Sequence, residues 1–122
     1  MNQLRSLTAE QVQKFHVDGQ IGIERVLSVD EVSALADRAD HIAAGEGINI
    51  PASSVQLERV FREGEREVED RVLSVRKLFN LAVYDDPMWA HVVNPKIVDV
   101  IADLLGTDDI KLYGAQLFMK PP

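Results

Sequence analysis

Residues 7–40, LTAEQVQKFHVDGQIGIERVLSVDEVSALADRAD, contain two clear helix starts. Thr8 is followed three residues later by Gln11, and Ser28 is followed three residues later by Glu31. This spacing is typical of a capping box, in which each side chain of the pair hydrogen-bonds to the backbone of the other. We therefore expect one helix to begin after Thr8 and a second to begin after Ser28.

Apolar residues and glycines define the faces and ends of these two helices. Val12 and Phe15 fall on one face of the first helix, which we expect to end near Gly19, because glycine readily adopts the left-handed backbone that ends many helices. The second helix should end by Gly45. The apolar stripe of this second helix, at helical spacing, consists of Val32, Leu35, Ala36, Ala39, Ile42 and Ala43. Between the two helices, Gln20 to Val26 is predicted to be a short strand.

The middle of the chain is more polar. Gly45 to Ser54 has the composition of a loop, and Val55 to Phe61 alternates apolar and polar residues as a half-buried strand does. The densely charged residues 62–71 predict a solvated loop or helix end. Val72 to Leu81 is apolar, and its pattern leaves helix and extended chain open.

The last third contains two proline-led helix starts. Asp86 and Asn94 each precede a proline, and we expect both residues to be N-caps. The second of these helices should end at Gly106, and its apolar stripe consists of Ile97, Val98, Ile101, Leu104 and Leu105.

Ile110 to Met119 is predicted to be a strand. Alternation along it places Leu112, Gly114, Gln116 and Phe118 on one face. The sequence ends soon afterwards at Pro121-Pro122, which leaves this strand without a later strand to pair with. We therefore expect residues 1–122 to be the N-terminal part of a single, longer α+β domain.

Composition excludes several classes of protein. An apolar fraction of 46% supports a core, and the charged fraction of 27% is that of a globular protein. The net charge of −7 disfavours binding to nucleic acid or to an anionic membrane, and no apolar run is long enough to span one. The absence of cysteine excludes disulfides and thiolate chemistry. With no secretory signal pattern at the N-terminus, we expect a cytoplasmic protein.

Histidine and aspartate offer few sites for chemistry. His16-Val17-Asp18 has the H-x-D form of an iron-binding pair. On a helix, however, residues two apart point about 200° away from each other, so we predict a solvated helix end instead. Asp37 and His41 are four residues apart and predict a surface salt bridge. We therefore assign neither catalytic residues nor metal ligands from these patterns.

Three segments together resemble the N-terminal part of the phytanoyl-CoA dioxygenase family of Fe(II)- and 2-oxoglutarate-dependent oxygenases. They are residues 7–40 quoted above, residues 76–106 (RKLFNLAVYDDPMWAHVVNPKIVDVIADLLG) and residues 110–122 (IKLYGAQLFMKPP). The order and spacing of these segments carry the likeness, which is weakest from Gly45 to Arg71.

The resemblance implies a double-stranded β-helix, a jelly-roll or cupin-like fold, of which this chain supplies the outer helices and first strands. It implies that the complete protein uses Fe(II) and 2-oxoglutarate to hydroxylate a small-molecule or acyl-CoA substrate, releasing succinate and CO2. The family's iron-binding strands follow the segment similar to residues 110–122. We therefore expect this chain alone to be inactive and to bind neither cofactor tightly.

The resemblance also implies roles for three residues. Lys77 stands where family members often have a lysine that contacts 2-oxoglutarate, and an ammonium suits a dicarboxylate. Gln116 stands where some relatives carry a polar residue that faces the pocket. Phe118 replaces an asparagine that binds the cosubstrate in relatives similar to ectoine hydroxylase, and we expect it to line an apolar substrate pocket instead.

Two other hypotheses belong to different classes. The chain could be a non-catalytic α+β module that binds a protein partner through the exposed edge strand Ile110 to Met119. It could instead be a metal-binding protein that uses His16, Asp37 and His41. The sequence indicates neither the identity of the substrate nor the oligomeric state.

Overall fold

The computed structural model describes residues 3–46 and 49–120. Over these residues it is an α+β structure, as predicted, with helices around a small antiparallel sheet. The helices are α1 (Ala9–Asp18), α2 (Val29–Ala44), α3 (Arg59–Arg62), α4 (Arg71–Ser74), α5 (Leu81–Tyr84), α6 (Asp86–Val92) and α7 (Pro95–Leu105). The strands are β1 (Val55–Leu57), β2 (Val75–Phe79) and β3 (Gln116–Phe118). No helix in the described ranges is long and apolar enough to cross a membrane.

Both predicted capping boxes are present. The Thr8 hydroxyl accepts from the Gln11 backbone N–H at 3.2 Å, and the Gln11 side chain accepts from the Thr8 N–H at 2.9 Å. Ser28 and Glu31 form the same pair of hydrogen bonds at the start of α2, each 3.1 Å long. The positions at which α1 and α2 begin therefore follow from local sequence.

The predicted helix ends are also confirmed. Gly19, Gly45 and Gly106 follow α1, α2 and α7 with φ of 74°, 76° and 69°, in the left-handed region. Asn94 caps α7 by accepting from the Lys96 N–H at 3.0 Å. The cap of α6 was assigned one residue too late, because Asp85 rather than Asp86 accepts from the backbone at Met88.

The strand predicted from Gln20 to Val26 is wrong. This segment forms no regular secondary structure and turns at Arg25, which has a φ of 57°. Its Ile21 and Ile23 pack against a core cluster formed by Leu7, Val100 and Leu104. Alternation alone cannot make a strand, because a strand also needs a neighbour to which its backbone can hydrogen-bond.

The prediction of a strand over Val55–Phe61 is correct only for its first half. The register of β1 against β2 shifts between Gln56 and Leu57, and the Glu58 N–H bonds to the Ser74 carbonyl at 2.7 Å. The chain then enters α3, so the alternating residues after Leu57 pair with no strand. The exposed residues 63–70 that follow form the predicted solvated segment. The apolar segment Val72–Leu81 contains helix and strand in succession, namely the end of α4 and then β2.

The prediction of a strand over Ile110–Met119 is correct only for Gln116–Phe118. Their partner β2 has five residues and ends where Asn80, at a φ of 51°, turns the chain into α5. The Asn80 N–H still bonds to the Ala115 carbonyl at 2.9 Å, but residues 110–114 have no strand beside them. Pro121-Pro122 and part of the predicted Gly45–Ser54 loop lie outside the described residues.

The sheet has the order β1–β2–β3, and both pairings are antiparallel. One of its faces packs on α2 through the fully buried Leu78. This cluster contains Ala39, Ile42, Ala43, Val75, Leu78 and Leu81. Burying one face of an antiparallel sheet leaves the opposite face free to carry polar groups.

Three carboxylates join segments that are distant in sequence. Asp103 on α7 is buried and accepts from the backbone N–H groups of Arg5, Ser6 and Leu7 at 2.8–3.2 Å. Burial acts to raise the pKa of Asp103, but these donors together outweigh it, and the pKa is lowered. The residues before α1 are thereby attached to α7.

The other two carboxylates attach α2 to the C-terminal helices. The side chain of Glu31 accepts from Lys96 and, at 2.9 Å, from the Asn94 amide. Lys96 contributes most to lowering the pKa of Glu31 to about 2. Arg38 donates from two nitrogens to Asp85, whose side chain is only 2% exposed.

Candidate functional site

The outward face of the sheet brings together all three residues to which the resemblance gave a role. Lys77 on β2 lies directly opposite Phe118 on β3 and Gln56 on β1. Phe79, two residues farther along β2, lies opposite Gln116. Directly opposed residues share a face, as do residues two apart on a strand. Lys77, Gln116 and Phe118 therefore belong to one face, together with Gln56 and Phe79; we call these five residues the outward sheet face.

The ammonium of Lys77 rests on aromatic rings. Its Nζ lies 4.4 Å from the centroid of the Phe79 ring and 5.8 Å from that of Phe118. A cation at these distances is attracted by the electron-rich face of the ring. Within the described part of the chain, no carboxylate lies within salt-bridge distance of Lys77. Its charge is thus held in place without being neutralised, which suits an anionic ligand.

Two amides accompany this cation. Gln116 is exposed, whereas Gln56 is half-buried, and its Oε1 is inaccessible and has no hydrogen-bond partner. Amides can donate to and accept from a ligand, so together with Lys77 they provide donors for a carboxylate. The sequence pattern did not single out Gln56. Its place opposite Lys77 depends on the register of β1 against β2, which the sequence does not state.

Two phenyl rings border the cation on this face. Phe118 is 63% exposed, while Phe79 and Lys77 are half-buried. The rings thus give the surface beside the cation an apolar character. The arrangement is suited to a small carboxylate with an aliphatic body, because the rings can cover methylene groups while the cation and amides bind oxygen.

A second feature is an apolar groove of about 920 Å³ between α2, α6, α7 and the chain leading into β3. Ile97, Val98 and Ile101 of α7 line this groove instead of packing in a core cluster. The predicted stripe on α7 is therefore correct for these three residues and for the buried Leu104, but wrong for Leu105, which is 60% exposed. His91 also lines the groove, and its Nδ1 is inaccessible and without a hydrogen-bond partner.

The remaining candidate residues stand apart from both features. His16 and Asp18 lie in the last turn of α1, as predicted, and Asp18 pairs with Lys14 at 2.7 Å. The predicted Asp37–His41 salt bridge is absent from the described ion pairs. His41 lies 3.9 Å from Glu46 instead, because the chain folds back after α2 at Gly45.

In the described ranges no three His, Asp or Glu side chains are grouped so that they could hold a metal ion, so the hypothetical set of His16, Asp37 and His41 is not brought together. The outward sheet face, by contrast, fits a carboxylate through Lys77 and its neighbouring amides. Comparison of the chain with protein-family models, with curated proteins and with solved structures found no match.

Proposed function

We propose that this chain is the N-terminal part of an Fe(II)- and 2-oxoglutarate-dependent dioxygenase similar to phytanoyl-CoA dioxygenase, with the outer helices and first strands of a double-stranded β-helix. The reaction would hydroxylate a small-molecule or acyl-CoA substrate. The observation that carries the proposal is that Lys77, Gln116 and Phe118, selected by resemblance, share one open face of the sheet.

Each of these side chains has a physical role in the proposal. Lys77 neutralises one carboxylate of 2-oxoglutarate, which as a bound cosubstrate supplies the electrons for hydroxylation and becomes succinate and CO2. Gln116 orients the same molecule by hydrogen bonding. The ring of Phe118 covers apolar ligand surface and excludes water from the salt bridge, which strengthens the electrostatic attraction. None of the described residues is assigned to iron.

The first test is binding of 2-oxoglutarate to the chain, followed by two-dimensional NMR of backbone and side-chain amides. We expect weak binding, with a dissociation constant of about 1 mM, the value expected for about 4 kcal/mol of binding free energy. Lys77→Met should remove the response. Lys111→Met is the matched control, because it removes the same charge from an exposed residue in the segment leading into β3 that is not part of the outward sheet face.

Three results would contradict this proposal. The first is an unchanged 2-oxoglutarate response in Lys77→Met, and the second is the absence of a response in the original chain. The third is formation of succinate by the purified chain supplied with Fe(II), 2-oxoglutarate and oxygen, because the proposal assigns no iron ligand to residues 3–46 or 49–120.

One observation favours a second function, a module that binds a protein partner by strand addition. All three residues of β3 are exposed, and among the described strands only β2 pairs with β3. An extended peptide could add to the free side of β3 through main-chain hydrogen bonds. This alternative predicts a monodisperse monomer that unfolds cooperatively and whose NMR spectrum does not respond to 2-oxoglutarate. A response centred on Lys77 would count against it.

A further inference from the structure

Gln56 occupies a position on the outward sheet face to which neither the sequence pattern nor the resemblance gives a role. It lies directly opposite Lys77, in the cross-strand row that Phe118 completes. Directly opposed side chains in an antiparallel pair have Cβ atoms about 4.5–5.5 Å apart, so the amide and the ammonium can reach the same ligand.

The amide of Gln56 is also incompletely bonded. Its Oε1 is inaccessible to solvent and has no hydrogen-bond partner. A buried polar atom without a partner is unfavourable, and most such atoms in folded proteins are paired. Because the inaccessible atom is the oxygen, a ligand can contact this amide only through its nitrogen, which is an N–H donor.

The neighbours of Gln56 favour the same kind of ligand. Lys77 is purely a donor, so a ligand that bridges the two side chains must offer acceptor oxygens. Carboxylates offer two such oxygens, and a donor amide beside an ammonium can bind both of them. The Phe79 and Phe118 rings on which the ammonium rests then border the remainder of the ligand.

We propose that Gln56 is a second binding residue of this carboxylate site, donating an amide N–H to the carboxylate that Lys77 neutralises. The inference rests on the proposed function, in which this carboxylate belongs to 2-oxoglutarate, and adds β1 to the elements that bind it. One carboxylate of the ligand is thus bound by two adjacent strands, with the aliphatic chain of the ligand along the rings.

The test is a 2-oxoglutarate titration of the chain and two variants, followed by NMR. Gln56→Met keeps the size of the side chain but removes its donors, and we expect about tenfold weaker binding, as for the loss of one charge-assisted hydrogen bond. Gln56→Glu places a negative charge against the ligand and should weaken binding further. Gln13→Met is the matched control, because Gln13 is exposed on α1, outside the sheet. The Gln13→Met chain should bind 2-oxoglutarate as the original chain does.

The outcomes separate this inference from the proposed function. If Lys77→Met loses binding and both Gln56 variants bind as the original chain does, the role of Gln56 is wrong and the proposed function stands. If the original chain does not bind 2-oxoglutarate, both are wrong. Should a Gln56 variant fail to fold, the side-chain NH2 resonances of Gln56 in the original chain decide: they shift on titration if the amide binds the ligand, and an unchanged position refutes the inference.

Discussion

Replacement of Asp103 by alanine should remove the attachment of the N-terminal segment to α7. The Oδ2 atom of Asp103 accepts from the N–H groups of Ser6 and Leu7, both at 2.8 Å, and Oδ1 accepts from the Arg5 N–H at 2.9 Å. The same segment places the side chain of Leu7 in the cluster with Val100 and Leu104. A single side chain therefore satisfies three donors and positions a core residue.

The expected loss in free energy of unfolding depends on which of the three backbone N–H donors remain buried in the variant. A hydrogen bond to a charged group contributes about 1.5–3 kcal/mol, and a typical exposed one contributes less because water can replace it. The Leu7 N–H is buried with its residue, whereas Arg5 and Ser6 are exposed and can rehydrate. We therefore expect Asp103→Ala to lower the free energy of unfolding by about 3 kcal/mol, a large part of the 5–15 kcal/mol typical of a domain.

The assay is urea unfolding at several pH values, followed by circular dichroism. Because the pKa of Asp103 is lower in the folded than in the unfolded chain, its contribution is complete above the unfolded value, about 3.9, and is lost as the pH falls toward the folded value. The difference between Asp103→Ala and the original chain should therefore be constant near pH 7 and shrink below about pH 4.

Asp99→Ala is the matched control for this experiment. Asp99 lies on the same helix and reaches only the exposed Arg5 side chain, at 3.5 Å. A surface pair of this kind contributes about 0–1 kcal/mol. The reasoning is refuted if Asp103→Ala is no less stable than Asp99→Ala, or if its deficit is the same at pH 3 as at pH 7.

Three further predictions test other connections in the fold. Asp85→Asn should lower the urea midpoint of unfolding clearly more than Asp86→Asn, because Asp85 is buried, pairs with Arg38 and caps α6; equal midpoints would contradict this. Lys96→Met should raise the pKa of Glu31 from about 2 toward its ordinary value, as measured by NMR titration, since Lys96 makes the largest contribution to lowering it; an unchanged pKa would exclude that cause. The stability that Glu31 provides should accordingly be lost as pH falls from 4.5 toward 2 in the original chain, and less so in the variant. Gly19→Ala should lower the free energy of unfolding, measured in urea, by about 1 kcal/mol. The loss comes entirely from the positive φ of Gly19, because nothing lies within 4 Å of the position of the added methyl group. An unchanged free energy of unfolding would show that the backbone at the end of α1 adapts to the methyl group.

The sequence by itself determined the features that depend on near neighbours in the chain. Capping boxes at Thr8 and Ser28 and glycines after α1, α2 and α7 specify where the three longest helices begin or end, because the groups that bond there are within a few residues of each other. The same locality explains why the H-x-D pair at His16 could be assigned correctly to a helix end. The α+β class followed from these elements and from the apolar alternation between them.

Only the tertiary structure decided the strands and the site. Gln20–Val26 and Val55–Phe61 were both predicted to be strands, but a strand forms only where a neighbour can accept its hydrogen bonds, and β2 pairs with three residues of each neighbour. Resemblance named Lys77, Gln116 and Phe118, yet their meeting on one face depends on strand register, and so does the place of Gln56 beside them. Contacts between residues far apart in sequence leave no local pattern, so the strand register and the positions of the site residues could be established only from the tertiary structure.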